Sequence, residues 1–114
     1  IKATSRNDKL VSIMDIAPTI LDWANIPAPE NMEGHSLLRD DIRPPLSMES
    51  YGNRSVQDGD WKLLWLWPDT GQGKWALYDV EKDPAESRDI ASQYPEIVSR
   101  LSKEWDKFSQ EKKI

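Results

Sequence analysis

Two short alternating runs meeting at Asp58-Gly59 constrain this chain most. Arg54 to Gln57 precedes the pair and Trp61 to Trp67 follows it. An Asp-Gly pair between such runs marks a tight hairpin, because the turn needs positive φ and glycine supplies it. In the second run Trp61, Leu63, Trp65 and Trp67 share one face; Lys62, Leu64 and Leu66 share the other. Apolar residues on both faces imply an interior strand, covered on both sides for part of its length. Leu46 to Tyr51 alternates in the same way, and so does Lys74 to Val80 beyond a turn of glycine and proline at 68–73. The chain is therefore expected to build a small antiparallel sheet of about four strands over 46–80.

Helices are expected on either side of that sheet. In the leading apolar segment, Leu10 to Ala24, which carries a helix at 12–25, Leu10, Ile13, Met14, Ala17, Leu21 and Ala24 fall on one helical face. Two starts fit. Ser12 and Asp15 make a capping box, or Asp15 is itself the cap and Pro18 sits in the first turn, where its missing N–H costs no hydrogen bond. A short turn from Ser12 into a helix from about Ile16 to Ala24 satisfies both, with Asn25 as the left-handed stop and Pro27 beyond it. Residues 26–45 hold five glycines and prolines and read as loop. Pro95 opens a last helix, 95–112, with Glu96 near its positive end and a stripe of Ile97, Val98, Leu101, Trp105 and Phe108. The expected class is α+β: the sheet packed against a long carboxyl-terminal helix, with an amino-terminal helix, all in one domain spanning 1–114.

Composition narrows the function. Hydrophobic residues make up 38% of the 114, a thin supply for a core, and six tryptophans offset it because each buries a large area. Net charge is -5, with no basic face for nucleic acid. No apolar run approaches the length of a membrane span. The start, Ile1 to Asp8, is polar and does not begin with methionine, as expected of a fragment. Without cysteine there is no disulfide, thiol catalysis or zinc thiolate site.

Three segments carry a family resemblance. Asp15-Ile16-Ala17-Pro18-Thr19-Ile20-Leu21-Asp22 is similar to the D-x-x-P-T helix that follows the catalytic core of sulfatases. Gly52-Asn53-Arg54-Ser55-Val56 with Gly59-Asp60-Trp61-Lys62-Leu63 resembles the R-x-V…G-x-W-K hairpin of the same enzymes. Leu77-Tyr78-Asp79-Val80, Asp83-Pro84-Ala85-Glu86 and Ile90-Ala91 resemble the segment that closes their chains. Order and spacing match over about Val11 to Ala91, and bacterial arylsulfatases give the nearest variant. Asn25 departs from a usual glycine, and Gln57 from a frequent basic residue.

The resemblance implies the carboxyl-terminal part of a sulfuric ester hydrolase of the alkaline phosphatase superfamily. Such enzymes use a formylglycine from a C-x-P-x-R or S-x-P-x-R motif, and a calcium ion on aspartate and Asp-Asn pairs. None of those motifs occurs here. The chain is thus expected to hold no catalytic residue, metal ligand or cofactor of its own, while its parent uses calcium and a formylglycine. Implied partners are the missing amino-terminal catalytic domain and, in the parent, a sulfate ester. Family habit points to a periplasmic or secreted protein. A related phosphodiesterase or phosphonate hydrolase, and a tryptophan-based glycan-binding module, are the competing readings. A fragment with uncovered apolar surface is also expected to self-associate.

Two residues are candidates for the rim of a substrate cleft in the parent: His35, in Glu33-Gly34-His35-Ser36, and Arg54. The bland alternative for His35 is an exposed or turn-capping loop residue. For Arg54 it is an ion pair with Glu49 across the strands. Lys62 is expected to keep its head in water. Trp61, Trp65, Trp67 and Trp75 read as core beneath the last helix. Asp83 reads as a turn cap, and Glu86 as a partner of a backbone N–H or of Arg88.

Overall fold

The computed structural model describes residues 4–69 and 71–114. The chain forms two compact units, Ile1–Arg43 and Pro44–Ile114.

In the first unit a 3-10 turn, Ile13–Asp15, runs directly into helix α1, Ile16–Trp23. Both expected starts are realised. Ser12 Oγ accepts the Met14 N–H at 3.3 Å and Asp15 Oδ2 accepts the Ser12 N–H at 2.8 Å, which closes the capping box. Pro18 lies in the first turn of α1, where no hydrogen bond is lost. Asn25 takes φ +55, the left-handed conformation that ends helices, so α1 is slightly shorter than the periodicity suggests.

The second unit is a four-stranded antiparallel sheet in the order β1-β2-β3-β4 with one long helix on it. The strands are β1 Leu46–Ser50, β2 Asn53–Asp58, β3 Trp61–Trp65 and β4 Trp75–Asp79. The register places Ser47, Val56, Leu63 and Leu77 in one row across the sheet. Helix α2, Pro95–Lys112, follows a 3-10 turn at Ala91–Gln93 and lays Leu101 and Trp105 over that row. Val56, Leu63, Leu77 and Leu101 are fully buried and Trp105 nearly so. Burying an aliphatic side chain of this size stabilises by about 1.5–3 kcal/mol, so four such groups and the larger Trp105 make a small core. Trp61, Trp75, Ile97, Val98 and Phe108 rim it. Trp75 meets Trp105 edge-on at 6.4 Å, and Trp61 tilts onto Tyr94 at 5.0 Å.

The free edge of β4 is closed from within. Asp89 Oδ1 accepts the Leu77 N–H at 3.0 Å, and the Ile90 N–H donates to the Leu77 carbonyl at 2.9 Å. That occupies the groups of Leu77 which an edge strand would otherwise offer to a neighbour. Asp83 caps the preceding turn as expected, accepting the N–H groups of Ser87 and Arg88. Those donors hold its carboxyl below the usual carboxylate range.

Three local expectations need correction. Arg54 faces Glu49 in the register but does not pair with it. Its guanidinium lies over Trp65 at 4.6 Å and Trp105 at 5.6 Å, a cation–π stack on the helix-covered face. Glu49 instead accepts the Gly52 N–H at 2.6 Å. Lys62 does not end in water: it pairs with Glu86 on the other face, and both are about three-quarters covered. β3 stops at Trp65, because Trp67 leaves the ladder to donate its N–H to Asn53 Oδ1 at 2.9 Å. Trp67 is 48% exposed, so it is not core.

Candidate functional site

The chemically richest place is the polar knot that ties α1 to the loop beyond it, and it begins with Asp15. Its side chain is fully buried. A buried carboxylate is costly unless hydrogen bonds and an opposite charge satisfy it. Asp15 has both. Its Oδ1 accepts the His35 N–H at 2.8 Å, its Oδ2 accepts the Ser12 N–H at 2.8 Å, and the Arg43 guanidinium closes on Oδ1. Burial pushes the Asp15 carboxyl up, but Arg43 and the two backbone donors outweigh it and hold the group below its ordinary value of 3.8.

One helical turn on, Thr19 repeats the pattern with a hydroxyl. It donates to the Asp15 carbonyl at 2.6 Å and accepts the Leu37 N–H at 2.8 Å. A further turn on, Asp22 Oδ2 accepts the Ser36 hydroxyl at 2.6 Å, while Ser36 Oγ accepts the Leu38 N–H at 3.3 Å. Residues 15, 19 and 22 lie on one helical face, so a single face grips three successive loop positions. Gly34 admits this approach. It has φ +105, and a Cβ there would sit 2.1 Å from the Met14 carbonyl oxygen and 3.1 Å from Pro18 Cγ. Gly34→Ala should therefore combine backbone strain with a clash against main chain and cost about 3 kcal/mol or more. Denaturant unfolding of the two forms measures it.

His35 is held by this knot rather than free in solvent. Its side chain is 14% exposed, and Nε2 lies 3.0 Å from Asp41 Oδ1. Nε2 is buried and makes no hydrogen bond there. Asp41 is also held by Arg39 at 2.5 Å. His35 and Arg54 belong to different units, each fixed by its own neighbours. The sequence reading missed Asp15, Thr19, Asp22 and Ser36 as a set. Their signal was available as a polar i, i+4, i+7 row inside an apolar helix.

The knot can hold backbone in place, but it offers no nucleophile or cation cage. Among the described residues no group of three or more His, Cys, Asp or Glu is placed to hold a metal ion, and the chain has no cysteine. No helix among the described residues is long and apolar enough to cross a membrane.

No family model matches the chain. Individual relatives do. Arylsulfatase K of Rattus norvegicus is 34% identical over 91% of this chain and 22% of its own length. Arylsulfatase K of Bos taurus is 30% identical over 89% of the chain and 22% of its own length. An arylsulfatase of Clostridium perfringens is 31% identical over 84% of the chain and again 22% of its length. The chain thus spans about a fifth of the curated relatives it matches. Among solved structures, Ps i-CgsB superposes with a TM-score of 0.72 at 21% identity, over 87% of this chain and 24% of that one. A protein solved with its substrate D-glucosamine-2-N,6-O-disulfate superposes at 0.62 with 23% identity, over 84% and 23%. At such identities the structural likeness speaks for the fold alone.

Proposed function

Since the chain belongs to the sulfatases, as a segment corresponding to their carboxyl-terminal region, we propose that it is a non-catalytic subdomain which completes a sulfuric ester hydrolase. The parent would supply nucleophile, calcium and formylglycine from sequence outside this chain, and a sulfate ester would be its substrate. The observation that carries this reading is the make-up of the first unit. Among its described residues the buried side chains are Asp15, Pro18 and Ser36, so no large apolar group among them is buried. Ile13, Ile16, Ile20, Trp23, Leu37 and Ile42 are all more than half exposed. Apolar surface of that extent on a small unit marks a face built to be covered. The hydrogen-bonded knot shapes the unit before anything covers it.

In this role the residues described here bind and orient rather than react. Asp15, Thr19 and Asp22 fix the loop at 34–38, while the core between sheet and α2 holds the second unit together. The expected result is turnover of para-nitrophenyl sulfate by the full-length parent and none by the pure chain. Turnover by the chain alone, or phosphodiester cleavage without sulfatase activity in the parent, would refute the assignment. The second expectation concerns the bare face. The isolated chain should self-associate, seen as light scattering that rises with concentration. Replacing Ile13 and Ile42, which are 84% and 93% exposed, by serine should reduce the association without lowering Tm.

A further inference from the structure

The tip of the β1–β2 hairpin carries a residue that its turn disfavours. Ser50 pairs with Asn53, leaving Tyr51 and Gly52 as the two-residue loop. Both have positive φ, +51 and +83. A turn with positive φ at both positions favours Asn-Gly or Gly-Gly, because a bulky side chain is strained there. Tyr51 bears that strain while 96% exposed, so its ring contributes nothing to the core. Strain of this kind, with no return in packing, points to use at the surface.

The surroundings of Tyr51 are braced. Glu49 Oε1 accepts the Gly52 N–H at 2.6 Å and closes the turn. A Cβ on Gly52 would lie 3.1 Å from Trp67 Cε3, so glycine lets the Trp67 ring lie against the hairpin. Asn53 Oδ1 holds the Trp67 N–H at 2.9 Å, and the Trp67 ring meets Trp65 edge-on at 5.9 Å. Trp65 is in turn clamped by Arg54. An exposed tyrosine and a half-exposed tryptophan are thus presented at one end of the sheet, each tied to it by the contacts above. Rigid tyrosine and tryptophan give broad contact at low entropic cost and carry a polar tip. Their ring faces suit the C–H face of a pyranose.

We propose that Tyr51 and Trp67 form a stacking platform for the sugar ring of a sulfated saccharide. The choice of a sulfated ligand rests on the sulfatase reading; the platform itself rests on the geometry. In the parent, the hairpin tip would select the organic part of the ester while upstream residues act on the sulfate group.

The test uses the 114-residue chain and nuclear magnetic resonance. Titration with glucosamine 6-sulfate should shift the Trp67 indole N–H and the Tyr51 amide saturably, and plain glucosamine should do the same more weakly. Inorganic sulfate should move neither. Tyr51→Asn, the residue the turn favours, should weaken binding about fivefold to tenfold, the range of one lost ring contact, with Tm equal or higher. No saturable shift in the wild type overturns the proposal. So does equal binding by Tyr51→Asn, a parallel fall in Tm, or an equal response to inorganic sulfate. Hydroxyl-radical footprinting of the full-length parent adds a last check: Tyr51 protected without sugar would mean that the catalytic body covers the tip, and would overturn it too. Failure of the parent to cleave any sulfate ester would sink the sulfatase reading and leave the sugar titration to stand or fall alone.

Discussion

Asp15→Ala should destabilise the amino-terminal unit by about 2–4 kcal/mol, the cost of leaving buried partners unpaired. The change strips the acceptor from the His35 and Ser12 N–H groups and leaves the Arg43 guanidinium, only 15% exposed, without its counter-charge. Asp15→Asn should cost less, since one side-chain oxygen remains to accept a backbone donor. The pH dependence separates charge from shape. The native carboxyl titrates below 3.8, so the folded state favours the ionised form. Its contribution is complete above 3.8 and is lost as pH falls through the lower folded value. The wild type should therefore lose stability more steeply than Asp15→Asn in that acid window. Urea unfolding of both proteins across pH 2–6, followed by a signal from the first unit, makes the comparison. Parallel curves would show that Asp15 serves only as a hydrogen-bond acceptor.

Trp105→Ala should be the most damaging change in the second unit, at about 3–5 kcal/mol for a buried tryptophan. Trp105 is 4% exposed and is the helix residue on which three ring contacts converge. Trp75 and Phe108 lie 6.4 and 5.4 Å from it between centroids, and Arg54 stacks over it. A core of five buried side chains has little else to absorb the void. Trp23→Ala, at a residue 62% exposed, should change the stability of the isolated chain by no more than about 0.5 kcal/mol. Thermal unfolding of both variants beside the wild type checks the pair. Equal losses would mean that the exposed face of α1 is covered in solution.

Much of the architecture could be read before any coordinates. The hairpin at Asp58-Gly59, the four alternating runs and the helix from Pro95 are all local signals, set by turn stereochemistry and hydrophobic period. The last helix, Pro95–Lys112, opens at the proline that marked its start in the sequence. Less of the candidate site was legible. Arg54 and Lys62 each read correctly as strand residues, yet their partners were misjudged. An ion pair to the nearest opposite residue was the simple expectation for Arg54. Two indole faces from β3 and α2 instead took the guanidinium, while the Glu49 carboxylate accepted the Gly52 N–H. Glu86, at φ +53 in a turn, reached back across 24 residues to Lys62.

What the sequence determined by itself is the list of elements, their order, and the kinship with sulfatases, because turn residues, periodicity and motif spacing are written in near neighbours. What the tertiary structure alone decided is the use of the polar residues. Asp15 looked like a helix cap and is one, but burial also makes it the counter-charge of Arg43, 28 positions away. Such pairings follow from which groups are desolvated together, and desolvation is a property of the packed chain rather than of any stretch of it.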